Sequence, residues 1–193
     1  MPAAFTQEQQ YEIEQKLRKA AEKMLIDTPY HAIKVEDLSK AAGISKGSFY
    51  KFFPAKELLF YEILRSFHEE LFSSAMEKFV NAKGQTADEV LCKTLIACYD
   101  KVHTSKYRRF WMEDSHEIMA LISKEDKKAQ QEAEKALFQK FLHQFGELAV
   151  SEELAIASLK TLIFTVYSRE KLGSEYETIL HWMTQGVCSH IFQ

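Results

Sequence analysis

Glycine and proline are scarce in this chain, six and three residues among 193. So few backbone breakers exclude the closely spaced turns of a β-sandwich or barrel. Cysteine is scarce too. Cys92, Cys98 and Cys188 are odd in number and lack the paired spacing of a zinc site or a disulfide framework. A reducing cytoplasm is therefore the expected compartment. No window approaches the ~20 apolar residues of a membrane span, and no basic segment leads into an apolar run near Met1, so neither membrane nor export signal is expected. There is no Gly-rich phosphate loop, no G-x-S-x-G, no H-E-x-x-H and no paired-carboxylate signature, so no catalytic residue and no cofactor are expected. The seven histidines match no metal-ligand spacing, with His103 and His116 thirteen apart, and no metal is expected.

What is present is apolar content, 46%, enough for a real core, and an uneven charge distribution. The formal net charge is −3, which does not announce a nucleic-acid binder. Yet residues 34–56 hold five lysines against two acids, whereas residues 57–193 hold sixteen basic and twenty-one acidic side chains. A compact cationic face on an acidic body suits a DNA-reading surface.

That cationic stretch reads KVEDLSKAAGISKGSFYKFFPAK. Val35, Leu38, Ala41 and Ala42 recur at helical spacing, and Glu36 and Asp37 sit in the first turn, where the helix dipole favours negative charge. Gly43 supplies the freedom a tight helix–helix corner needs. Ser45 is placed to cap a second helix, Lys46 to Phe53, which Pro54 stops. Phe49, Phe52 and Phe53 can face a core, leaving Lys46, Gly47, Ser48, Tyr50 and Lys51 outward. This is the pattern of a helix-turn-helix. A glycine on the outer face, at a helix cost of about 1 kcal/mol relative to alanine, suits the close approach of another backbone.

AAGISKGSFYKFFPAKELL resembles the turn, recognition helix and fourth-helix start of the TetR family of bacterial repressors. The resemblance covers roughly Phe5 to Leu64. Two positions depart from it: Lys34 stands where a capping hydroxyl is usual, and Ala55 where the fourth helix commonly has its serine cap. Each lost cap costs on the order of 1 kcal/mol and removes no positive charge. The resemblance implies a three-helix DNA-binding domain over 1–54 and a larger ligand-binding and dimerisation domain over 55–193. The fold class is all-α, with about nine helices.

Helical periodicity fills the rest of the chain. Thr6 with Gln9 forms a capping box for a first helix with Ile13, Leu17, Ala20, Ala21 and Met24 as its inner stripe. A fourth helix is expected over about 55–80, and others over about 87–104, 106–122, 124–145 and 151–168. Thr86 with Glu89 and Ser174 with Glu177 offer two further capping boxes, the latter opening a final helix through about 192.

Lys34, Ser45, Lys46, Gly47, Ser48, Tyr50, Lys51 and Lys56 are the candidate DNA contacts, with Lys46 and Ser48 as base readers and Tyr50, Lys51 and Lys56 on phosphates. Phe72, Tyr99, His103, Phe110, Trp111, His116, Phe141, Phe164 and Tyr167 are the candidate lining of an apolar effector cavity, and ordinary core is the alternative reading. Arg108 and Arg109 fit either an anion site or a solvated helix face. Leu154, Ser158, Thr161, Leu162, Thr165, Tyr176, Ile179, Leu180, Met183 and Val187 give the last two helices stripes that suit a homodimer interface or packing within one chain. The resemblance favours the dimer. It implies a ligand-responsive repressor that binds a palindromic double-stranded DNA operator and is released by a small effector, which the many Met and Phe suggest is hydrophobic. The alternatives are a helical small-molecule-binding protein and an architectural DNA binder without an effector.

Overall fold

The computed structural model describes residues 5–79 and 84–192. The chain runs through α1 (Gln7–Leu25), α2 (Val35–Ala42), α3 (Lys46–Phe52), α4 (Lys56–Phe79), α5 (Ala87–Thr104), α6 (Ser115–Leu121), α7 (Lys124–Leu142), α8 (Glu152–Phe164), α9 (Arg169–Leu172) and α10 (Tyr176–Ile191). No β-strand forms among the described residues; Leu148 and Phe192 make one isolated bridge. No helix among them is long and apolar enough to cross a membrane.

Local chemistry sets several boundaries. The Thr6–Gln9 capping box forms, each residue bonding the other's backbone N–H. Thr86 donates its N–H to Glu89 at 3.4 Å at the start of α5. The Ser174–Glu177 box does not form. Glu177 instead pairs with Arg169 at 3.0 Å, the Ser174 hydroxyl turns to Glu175, and α10 opens at Tyr176 after a short 3₁₀ turn. The sixth expected helix is not one cylinder either. A π-helical turn, Phe110–Asp114, precedes α6, with the Ser115 N–H reaching back five residues to the Phe110 carbonyl.

The residues divide into two compact units, and the division departs from the expected boundary at 54/55. One unit comprises the chain up to Phe67 with Lys106–Ser123; the other comprises His68–Ser105 with the chain from Lys124. In the first, α1 packs on α2 and α2 on α3 around buried Leu17, Ala21, Leu25, Leu38 and Phe49. Specific polar contacts draw in the later segment. Asp114 accepts the Tyr30 N–H at 3.0 Å, and Arg109 donates to the Leu25 carbonyl at 3.0 Å and the Asp27 carbonyl at 3.3 Å. Arg109 is thus neither a solvated cation nor an anion site: it satisfies carbonyls that the end of α1 leaves open.

In the second unit α5 packs along α10 more extensively than any other helix pair. Leu91, Leu95, Leu159, Leu162, Leu180 and Ile191 are buried there. Phe145 joins Phe141 at 5.1 Å and Phe192 at 6.0 Å between ring centroids.

Candidate nucleic-acid interface

The corner between α2 and α3 is built by three local devices. Gly43 sits at φ 73°, the left-handed conformation that ends α2, and the Ile44 N–H closes onto the Ser39 carbonyl at 2.9 Å. Ser45 then caps α3, its hydroxyl accepting the Ser48 N–H at 3.1 Å. Phe49 and Phe53 are buried beneath the helix, and Phe52 is half-buried against Phe5 at 5.5 Å. At the start of α2, Lys34 makes no side-chain cap, as its side chain requires.

Anchoring Phe49 and Phe53 inward fixes what faces out. Lys46, Gly47, Tyr50 and Lys51 are exposed, and Tyr50 turns the edge of its ring to Phe49 at 5.4 Å. Ser48 is half-buried, with its hydroxyl 2.9 Å from that of Ser45. A Cβ built on Gly47 would meet only the Ser45 hydroxyl oxygen, at 3.9 Å. The fold itself therefore does not require glycine there.

Lys46 is not a free cation. Its Nζ lies 2.5 Å from the Glu36 carboxylate on α2. That hydrogen bond holds the Lys46 ammonium above its usual pKa and the Glu36 carboxyl below its own. Lys51 has no ion-pair partner among the described residues.

Lys56 departs most from its expected place among the phosphate contacts. Its Nζ donates to the carbonyls of Tyr30 and Ile33, both at 3.0 Å, and sits 4.2 Å above the Tyr30 ring. Burial lowers its pKa. Tyr30 in turn donates its hydroxyl to Glu57 at 2.6 Å and is buried edge-on against Phe60. Lys56 thus locks the turn before α2 to the start of α4. Sequence spacing could not expose this hub, because its members meet only in the folded chain.

Residues 17–63 match the family model described as bacterial regulatory proteins, tetR family. That matched segment is of the TetR type. The chain is 28% identical over 92 residues to YuxN of Bacillus subtilis (strain 168), an uncharacterized HTH-type transcriptional regulator, and the match spans 44% of this chain and 31% of YuxN. The chain therefore covers well under half the length of that relative. Two solved structures match nearly throughout at 14% identity. A TetR transcriptional regulator from Rhodococcus sp. RHA1 matches over 95% of this chain and 99% of its own, with a TM-score of 0.62. RolR in complex with the ligand resorcinol matches over 97% and 98%, with a TM-score of 0.63. Members of the TetR family are transcriptional regulators rather than enzymes.

The residues expected to line an effector cavity are distributed over both units. Phe110, Trp111 and His116 lie in the first unit, where Phe110 packs on Phe60 at 6.4 Å, Trp111 tilts over Phe67 at 4.8 Å and His116 is exposed. Tyr99, His103 and Phe141 lie in the second. There His103 meets the Tyr176 ring at 5.9 Å, and burial raises the Tyr99 and Tyr176 hydroxyl pKa values. The side chains of Phe72, Phe164 and Tyr167 lie outside the described residues.

The stripe expected to pair subunits also divides. Leu162, Tyr176 and Leu180 are buried within the chain, which removes them from an outward face. Leu154, Thr161 and Met183 are exposed, and Ser158, Thr165, Ile179 and Val187 are half-buried. Periodicity overlooked Trp182, which is 70% exposed on α10. A tryptophan outside the inner stripe was the signal that could have found it.

Proposed function

We propose that this protein is a TetR-family, ligand-responsive repressor acting in the cytoplasm, binding a palindromic operator as a homodimer. The observation that carries the reading is the exposed set on α3, Lys46, Gly47, Tyr50 and Lys51, over the buried Phe49 and Phe53. Lys46 and Ser48 read base edges, Lys34, Tyr50 and Lys51 hold phosphates, and Ser45 and Gly47 permit close approach to the backbone. A two-fold pair of such helices reads half-sites about one DNA turn, ~34 Å, apart.

The pairing face is the exposed part of α8 and α10: Leu154, Thr161, Met183 and Trp182. Exposed apolar side chains of this size mark a surface that another protein covers. Trp182→Ser should shift the dimer toward monomer by at least about tenfold in dissociation constant. Sedimentation equilibrium measures it, and an unchanged dimer would move the interface elsewhere.

The effector is small and mostly hydrophobic, with a group that hydrogen-bonds to the buried polar side chains of α5 and α10. Tyr99 and Tyr176 supply those groups, their buried hydroxyls meeting at the Thr165 side chain. Such an effector releases DNA only as far as it prefers the DNA-incompetent state. Incubating the chain with fragmented genomic DNA at two salt concentrations and sequencing what it retains tests the reading. Recovery of palindromic sites at the higher salt is expected. Retention without sequence preference that vanishes with salt would reduce the activity to a charged surface.

A further inference from the structure

We propose that His31, Asp114 and Glu117 form a binding site for a divalent transition-metal cation. Their ligand atoms all lie within 4.8 Å of one another, with the His31 Nδ1 3.8 Å from a Glu117 carboxylate oxygen. One imidazole and two carboxylates are a donor set that manganese, iron, cobalt or zinc accepts, with water completing the shell. All three residues belong to the first unit. His31 projects from the 3₁₀ turn Tyr30–Ala32, and Asp114 and Glu117 stand three residues apart, on one face of the π turn and α6.

Asp114 is the observation that points to an ion. It is 5% exposed, and the Tyr30 N–H is its one hydrogen-bond donor among the described residues, on Oδ2. No lysine or arginine there forms an ion pair with Asp114 or Glu117. A buried carboxylate with so little compensation is costly unless it is paired or holds a metal. Lys56 attracts Glu117 only at longer range, its own hydrogen bonds going to the carbonyls of Tyr30 and Ile33. Glu57, Asp114 and Glu117 all act on Tyr30, so three carboxylates gather around this turn against one ammonium. His31 and Glu117 are exposed, giving an ion access from solvent. The spacing in sequence hid the site, since the histidine and the carboxylates come from distant segments.

Isothermal titration of the purified, metal-stripped chain with Mn²⁺ and with Zn²⁺ at neutral pH tests this. One ion per chain is expected, together with a rise in the thermal midpoint that grows with metal concentration. His31→Ala and Glu117→Gln replace exposed side chains and should leave the fold intact. Each should weaken binding by about tenfold or more, and the double variant should abolish it. Absence of saturable binding up to about 1 mM of either metal would overturn the proposal. So would binding that the double variant leaves unchanged.

Discussion

The two units of this molecule are held together differently. In the first, long-range polar contacts tie particular atoms: Lys56 to two carbonyls, Tyr30 to Glu57 and Asp114, Arg18 to Glu62, Arg109 to the end of α1. In the second, α5 packs on α10 through a mainly apolar core, and surface ion pairs join other helix pairs, Lys101–Glu70 between α5 and α4 at 3.9 Å and Lys135–Glu153 between α7 and α8 at 3.5 Å. Polar ties demand specific side chains at specific places, whereas an apolar core accepts many sequences of the right pattern. The family model covers residues 17–63, and solved folds at 14% identity follow nearly the whole chain.

The contrast can be broken at its centre with Phe49→Ala. Truncating this fully buried ring should cost about 3–5 kcal/mol and abolish operator binding. Chemical denaturation should then resolve an early transition of the first unit while much helical signal survives. A single cooperative loss of both would mean the units do not differ in this way.

Two lysines sharpen the same point. Lys56→Met leaves the Tyr30 and Ile33 carbonyls without their donor and should destabilise the first unit by about 1–3 kcal/mol, with the salt dependence of DNA binding unchanged. Lys51→Ala should do the reverse: little change in thermal midpoint, and a salt slope shallower by about one. Exchange of these outcomes would return Lys56 to the DNA surface.

Gly47→Ala isolates the demand of the partner from that of the fold. The open space at this position predicts a gain of up to about 1 kcal/mol in stability and a loss of operator affinity, measured by melting and by fluorescence anisotropy. Undiminished affinity would mean that no backbone approaches there.

The smallest effect is a pH dependence. Burial lowers the His68 pKa to about 4, so below the ordinary value of about 6.5 the unfolded chain binds the extra proton. Its contribution to stability is therefore complete above that range and falls as pH drops toward the folded value. His68→Gln should flatten acid denaturation across that window, and an unchanged curve would show that His68 titrates normally.

Legibility followed the range of each interaction. Thr6 with Gln9, Ser45 with Ser48 and the left-handed Gly43 act within a few residues, and sequence spacing placed all three. Ser174 with Glu177 carried the same signature and failed, because Arg169 offered Glu177 a charged partner that a local pattern cannot weigh. Asp114 and Arg109 were opaque for a related reason. Their partners, Tyr30 and the end of α1, lie far away in the chain, and nothing in their own neighbourhood marks them. Trp182 escaped because helical period identifies the inward stripe and says little about a large side chain beside it.

The ion pair between Lys46 and Glu36 has a kinetic meaning as well as a geometric one. A lysine that arrives at DNA carrying its own carboxylate has already been neutralised, so it adds little to the long-range attraction that draws a protein onto any duplex. It must exchange partners at contact, and Glu36 is then left to face the polyanion. Only a sequence that offers Lys46 a well-placed acceptor compensates that loss. On the proposed reading of Lys46 as a base contact, α3 gives up adhesion to random DNA at this position in return for discrimination.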